Sequence, residues 1–157
     1  MTEGMRMESD SIGTMEVPKE AYYGVQALRA KQNFPITGQS LHPVFIRNLA
    51  KVKKAAAQSN RNALALPVDK AEAIIRACDE VIRGCFADEF IVDAIQGGAG
   101  TSANMNMNEV LANRANEWMG GRKGDYSRIH PNDHVNMSQS TNDVIPTAGK
   151  LTVLELL

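Results

Sequence analysis

Hydrophobic positions recur with a helical period in four stretches of the chain. After Pro43, residues Phe45, Leu49, Val52 and Ala56 fall at i, i+4, i+7 and i+11, which predicts a first helix with one packing seam. Pro67 stands at the start of a second, whose Ala71, Ile74, Ile75, Cys78, Ile82 and Cys85 form an apolar stripe. There Glu72 with Arg76, and Asp79 with Arg83, add i,i+4 support. A third helix is predicted from Ser102 to Met119, closed by Gly120 and Gly121. The fourth begins near the end of the segment 136–143 and carries Ile145, Ala148, Leu151, Thr152, Leu154 and Leu157. Its apolar pattern is still running at Leu157, with no glycine or asparagine cap, no basic last turn and no polar tail. A cut within a helix is expected, leaving the N-terminal part of a larger protein with Leu151, Leu154 and Leu157 exposed and prone to self-association.

Elsewhere the period is lost. Residues 13–38 are broken by Pro18, Gly24, Pro35 and Gly38, and read as turns and extended pieces around Tyr22, Tyr23 and Val25. The first dozen residues, polar and dotted with methionine, are expected to be flexible, and 86–100 and 121–135 to be connecting loops. With 157 residues the chain can bury one ordinary core, and only 5% aromatic content favours long helices over a β-sandwich. A net charge of -1 gives no argument for nucleic acid or an anionic membrane as partner. No apolar run has the length of a membrane span and no signal-type segment opens the chain, so a cytoplasmic protein is expected. Cys78 and Cys85 share a helix face about 10 Å apart, too far to bridge, and both read as buried small apolar residues of a reducing compartment. Arg47, Lys51 and Lys54 read as a solvated basic face, and Arg29 as a solvated or structural arginine. His130, Asp133 and His134 do not make a metal set, because Pro131 disrupts helical spacing and no acidic or thiol ligands complete it.

Chemistry gathers in two polar loops. From Gln96 to Asn108 the chain is glycine-rich and then hydroxyl- and amide-rich, with no charge before Glu109. Glycines let the backbone turn and approach a ligand, Thr101 and Ser102 are good N-cap residues, and a helix N-terminus offers free N–H groups to an anion. The loop lacks the Gly-Lys-Ser/Thr ending of a nucleotide phosphate loop and does not match G-x-G-x-x-G. The second loop, Ser138 to Asp143, also runs into a helix start, where plain N-capping would need only one of Ser140, Thr141 and Asn142.

Together with Tyr22-Tyr23-Gly24-Val25-Gln26, Asn108-Glu109-Val110-Leu111-Ala112-Asn113 and His130-Pro131-Asn132-Asp133, these loops resemble the aspartase/fumarase superfamily over nearly the whole chain, from about Gly13 to Leu157. Gly97-Gly98-Ala99-Gly100-Thr101-Ser102, Ser140-Thr141-Asn142-Asp143 and Tyr22-Tyr23 resemble the aspartase branch, whereas Met107 and Arg114-Ala115 would sit comfortably in a class II fumarase. The resemblance implies a mainly α fold, the N-terminal domain of the fumarase/aspartase type, with short extended segments before the first helix and the start of a central-bundle helix at the end. It divides the chain into a flexible 1–12, a lyase domain over 13–140 and a truncated bundle start over 141–157. The implied reaction is elimination of ammonia from L-aspartate to give fumarate, without a cofactor, in a homotetramer whose sites combine three subunits. By the same resemblance Thr101, Ser140 and Thr141 would donate to the β-carboxylate of the dicarboxylate, Asn142 would contact the amino group, and Asn104 is a further pocket candidate. A secondary anion site near His130 and Asn132 belongs to the fumarase branch. The general-base serine loop of the superfamily is absent, so no catalytic residue is expected in this chain and the isolated polypeptide should be silent. Two other functions compatible with the sequence are a class II fumarase fragment acting on L-malate and a non-catalytic helical interaction module.

Overall fold

Alternating side chains over Met5–Ser9 and Thr14–Pro18 make two antiparallel strands, β1 and β2, with Met5 opposite Pro18 and Ser9 opposite Thr14. Asp10 closes the turn between them by accepting from the backbone N–H groups of Ile12 and Gly13 at 2.9 and 3.0 Å. The computed structural model describes residues 4–157; in the start expected to be flexible, residues 1–3 lie outside the described residues and Met5–Ser9 form a strand. Arg6 anchors this hairpin, donating to the carbonyls of Pro18, Lys19, Ala21 and Tyr23.

Directly along the chain, where the sequence predicts turns and extended pieces, helix α1 spans Val25–Asn33 instead. Its N-cap, Gly24, has no side chain to cap with, and carboxylates from distant elements do the work. Glu109 accepts from the N–H groups of Gly24, Gln26 and Ala27 at 2.9 to 3.0 Å, and Glu8 from that of Val25 at 3.0 Å. A Cβ on Gly24 would lie within 2.7 Å of both carboxylates and of the Tyr126 hydroxyl, so only glycine fits. Burial pushes the Glu109 carboxyl up, to about 7, against the pull of those three N–H donors.

Helices α2 (Pro43–Asn62), α3 (Val68–Ile82), α4 (Thr101–Trp118) and α5 (Thr141–Leu156) are the four that the periodicity predicts. The chain is therefore mainly helical, with α2 packed between α3 and α5 and α4 lying against α1 and α3. The core joins Leu49 and Ala57 of α2, Ile74 and Cys78 of α3, Met107, Val110 and Leu111 of α4, and Ala148 of α5. On α2 the buried seam is Ile46, Leu49, Ala50, Lys53, Ala57 and Asn60, so Phe45, Val52 and Ala56 are only half-buried flanks. Cys78 is fully buried, but Cys85 lies beyond the end of α3 and is exposed, against expectation. Glu155 of α5 collects Arg47 and Lys51, and Asp79 takes Lys54, so the basic stripe, which faces solvent as expected, also forms ion pairs between helices. Arg76 lies 3.2 Å over the Trp118 ring, and Arg29 is held by Asp10 at 3.0 Å, a structural arginine. Leu151 and Leu154 are exposed on α5, as is Leu157 just after it. No helix among the described residues is long and apolar enough to cross a membrane.

Candidate functional site

The glycine loop turns through three successive residues in the left-handed region, Gly98, Ala99 and Gly100, with φ of 70°, 51° and 95°. Ala99 has a Cβ there, a local backbone cost of about 1 kcal/mol that is usual where a turn serves a site. Gly100, not Thr101 or Ser102, is the N-cap of α4. Gln96 supplies the missing acceptor, taking the Ala103 N–H at 2.7 Å. Thr101 is exposed on the first turn, its hydroxyl donating to the Gly98 carbonyl at 2.7 Å, so that bond must open before the hydroxyl can donate to a ligand.

The second loop behaves as predicted at its helix start. Ser140 is the N-cap of α5 and accepts from the Asn142 N–H at 3.3 Å. Thr141 accepts from the Asn104 amide at 3.4 Å. Both hydroxyls act as acceptors toward the protein and so keep a proton to give to an anion. Asn142 is exposed, and Pro146 has no N–H for the Asn142 carbonyl four residues earlier, leaving it outside the helical ladder.

The two loops meet. A Cβ on Gly100 would lie 2.9 Å from Ile145 of α5, so the glycine allows the first turns of α4 and α5 to touch. Asn104 then bridges to Thr141 and, at 3.1 Å, to Asn136. Thr101, Asn104, Ser140, Thr141 and Asn142 are thus collected at the joined N-terminal ends of two helices. The hollow of about 400 Å³ beside Gly100 and Ile145 is lined by Leu41, Phe45, Ile95, Gln96 and Ala103 among others, and Thr101 and Ser140–Asn142 stand outside its lining.

Beneath this surface lies a polar group that the sequence reading missed. The Asn136 side-chain carbonyl accepts from Lys53 at 2.8 Å, Asn104 at 3.1 Å and Asn108 at 3.3 Å. Lys53 is fully buried, and burial pulls its amine down to about 7. The carbonyl oxygens of Asn104 and Asn108 are buried and find no partner among the described residues. The signal that could have found Lys53 is its place four residues after Leu49 and four before Ala57, on the seam rather than beside it.

His130 and Asn132 line a separate cleft of about 400 Å³ with Arg29 and Ser102. There His130 Nδ1 accepts from the N–H groups of Asn132 and Asp133, while His134 Nδ1 accepts from the His130 N–H and its Nε2 lies 2.9 Å from Lys70. Both histidines are spent on a one-turn π-helical segment, Pro131–Val135.

Residues 13–157 match the model of a lyase family. The chain belongs to that lyase family. It is 57% identical over 157 residues to aspartate ammonia-lyase of a Bacillus species, and 53% identical over 157 residues to a class II fumarate hydratase of Halobacterium salinarum. All of this chain is covered in both matches, against 34% and 33% of those relatives, so the lyase chain spans about a third of their length as an N-terminal portion. The crystal structure of a fumarate lyase:delta crystallin from Brucella melitensis superposes with a TM-score of 0.94 at 54% identity, covering 96% of this lyase chain and 36% of that one.

Proposed function

We propose that this chain supplies one wall of a dicarboxylate site in an ammonia-lyase that eliminates ammonia from L-aspartate to give fumarate. The observation that carries the reading is the meeting of two helix N-termini with hydroxyl groups that keep their protons, at Ser140 and Thr141. Removing a proton from the carbon beside the β-carboxylate loads that carboxylate with further negative charge. Oriented neutral donors in a water-poor site stabilise such charge without rearranging. Ser140 and Thr141 donate to the β-carboxylate, Thr101 joins them once it releases Gly98, and Asn142 holds the amino group. Asn104 orients Thr141 from below.

The general base lies outside residues 1–157, so the isolated chain is silent and residues 13–140 and 141–157 serve as lyase domain and bundle start of a larger tetramer. This chemistry calls for no cofactor, and a cytoplasmic setting suits it. A class II fumarase is the second reading, favoured by the Halobacterium relative at 53% identity.

Joining this chain to the remaining two thirds of the Bacillus relative, and following fumarate by ultraviolet absorbance, tests both. Turnover of L-aspartate supports the first reading, and turnover of L-malate alone replaces it with the second. A folded, tetrameric fusion that turns over neither overturns the dicarboxylate site. Fumarate formation by the isolated chain at an ordinary enzyme rate would overturn its silence.

A further inference from the structure

Lys53 has no place in the wall described above, yet it is the largest fully buried side chain among the described residues. A lysine amine removed from water normally gathers several acceptors, and among the described residues Lys53 gives one hydrogen bond, to the Asn136 carbonyl at 2.8 Å. Asn104 and Asn108 donate to the same oxygen, so three donors converge on an atom with two lone pairs. That convergence fixes which way the Asn136 amide faces. Its Nδ2 is turned outward and donates to the Gln139 carbonyl at 3.2 Å, immediately before Ser140. Asn104, held by the same hub, reaches Thr141.

We propose that Lys53 is a positioning residue: through the Asn136 amide it bolts segment 136–141 to α2 and α4, and so sets where Ser140, Thr141 and Asn142 present themselves. It touches none of those three side chains, and its effect on them passes through Asn136 and Asn104. The functional half of this inference rests on reading that loop as the dicarboxylate wall, while the mechanical half does not. An apolar side chain of equal length would fill the same space beside Cys78 with no desolvation cost, so stability alone gives no reason for an amine at this position.

The test substitutes Lys53→Met and follows the 157-residue chain by thermal melting and backbone hydrogen exchange. The variant should melt at the same or a higher temperature. Meanwhile the amides of residues 139–144 should exchange about tenfold faster, the loss of one hydrogen bond to a strong donor, with α3 unchanged. Asn136→Asp is the second variant: its carboxylate accepts all three donors but cannot donate to Gln139, and it should loosen the same residues without lowering the melting temperature. In the fusion with the Bacillus relative, Lys53→Met should raise KM for L-aspartate about tenfold while kcat stays within about twofold. Unchanged exchange at 139–144, uniform acceleration across the chain, or failure of Lys53→Met to fold would each show a structural prop and overturn the proposal. A wild-type fusion without dicarboxylate turnover would overturn the site reading, and the exchange experiment would still decide the positioning role.

Discussion

The two ends of α4 carry the same kind of residue and treat it differently. Toward the C-terminal end, Asn116 uses both amide atoms on the backbone of Ile129, accepting at 3.0 Å and donating at 2.9 Å. Asn113 donates to the Tyr22 carbonyl and accepts from Gly124; nearer the N-terminus Asn106, on the opposite face of α4 from Asn104 and Asn108, holds Ile91 and Glu89 in the same two-handed way. Each of these amides replaces a missing strand partner for a loop that has none of its own. Toward the N-terminal end, Asn104 and Asn108 are equally buried, donate to Asn136, and leave their carbonyls without a partner among the described residues. Satisfied amides hold loops down, whereas the half-used amides of Asn104 and Asn108 lie under the segment proposed above as the dicarboxylate wall, where Asn104 reaches Thr141.

The largest effect should come from the satisfied end. Asn116→Leu strands the N–H and C=O of Ile129, both fully buried, and should cost about 3 kcal/mol, read from the denaturant midpoint at constant m-value. A loss below about 1 kcal/mol would mean that these amides are not what fixes the 121–135 connection, and the contrast would fail.

An intermediate effect separates the hub from the rest by pH. Lys53 titrates near 7 in the folded chain and near 10.5 when unfolded, so between those values the unfolded state binds more protons. Stability should therefore rise with pH from about 7 toward 10, and the lysine's penalty should be complete below 7. The neighbour that faces Lys53 from α3 is the Cys78 thiol, pushed up to about 12 by burial, with Asp79 and Lys54 beside it. Lys53→Met should flatten the pH slope by up to about 2 kcal/mol between pH 7 and 9, measured as wild type minus variant. A slope of the opposite sign would mean that the buried amine is stabilised in its charged form.

What the chain's pattern made legible follows from the range of the forces involved. Helices α2 to α5 come from apolar periodicity and from local punctuation such as Pro43, Pro67 and Gly120, all readable within a window of a few residues. Helix α1 escaped because its N–H groups are capped by Glu8 and Glu109, 17 to 85 residues away in sequence. Thr101 looked like a cap for the same reason that Gln96 did not: side-chain chemistry at one position is visible, but which carbonyl swings back over seven residues is not. Lys53 was passed over because a polar residue on a helix is assumed to face water, and its acceptor Asn136, like the Asn104 and Asn108 that donate to the same oxygen, lies far along the chain.

The smallest effect on stability, and the one that sharpens the contrast most, belongs to Asn104→Leu. The leucine gives up two donated hydrogen bonds, to Asn136 and Thr141, but it also removes a buried carbonyl with no partner. Asn136 keeps Lys53 and Asn108 as donors, and Thr141 is half exposed and can turn to water. The net change should stay within about 1 kcal/mol, several times less than Asn116→Leu although the chemistry removed is the same. In the fusion with the Bacillus relative the order should reverse, with Asn104→Leu raising KM for L-aspartate while a folded Asn116→Leu enzyme leaves it unchanged. Equal stability losses at the two positions would make the unpaired carbonyls an accident of packing, because an amide that matters only to folding has no reason to cost little when it is removed.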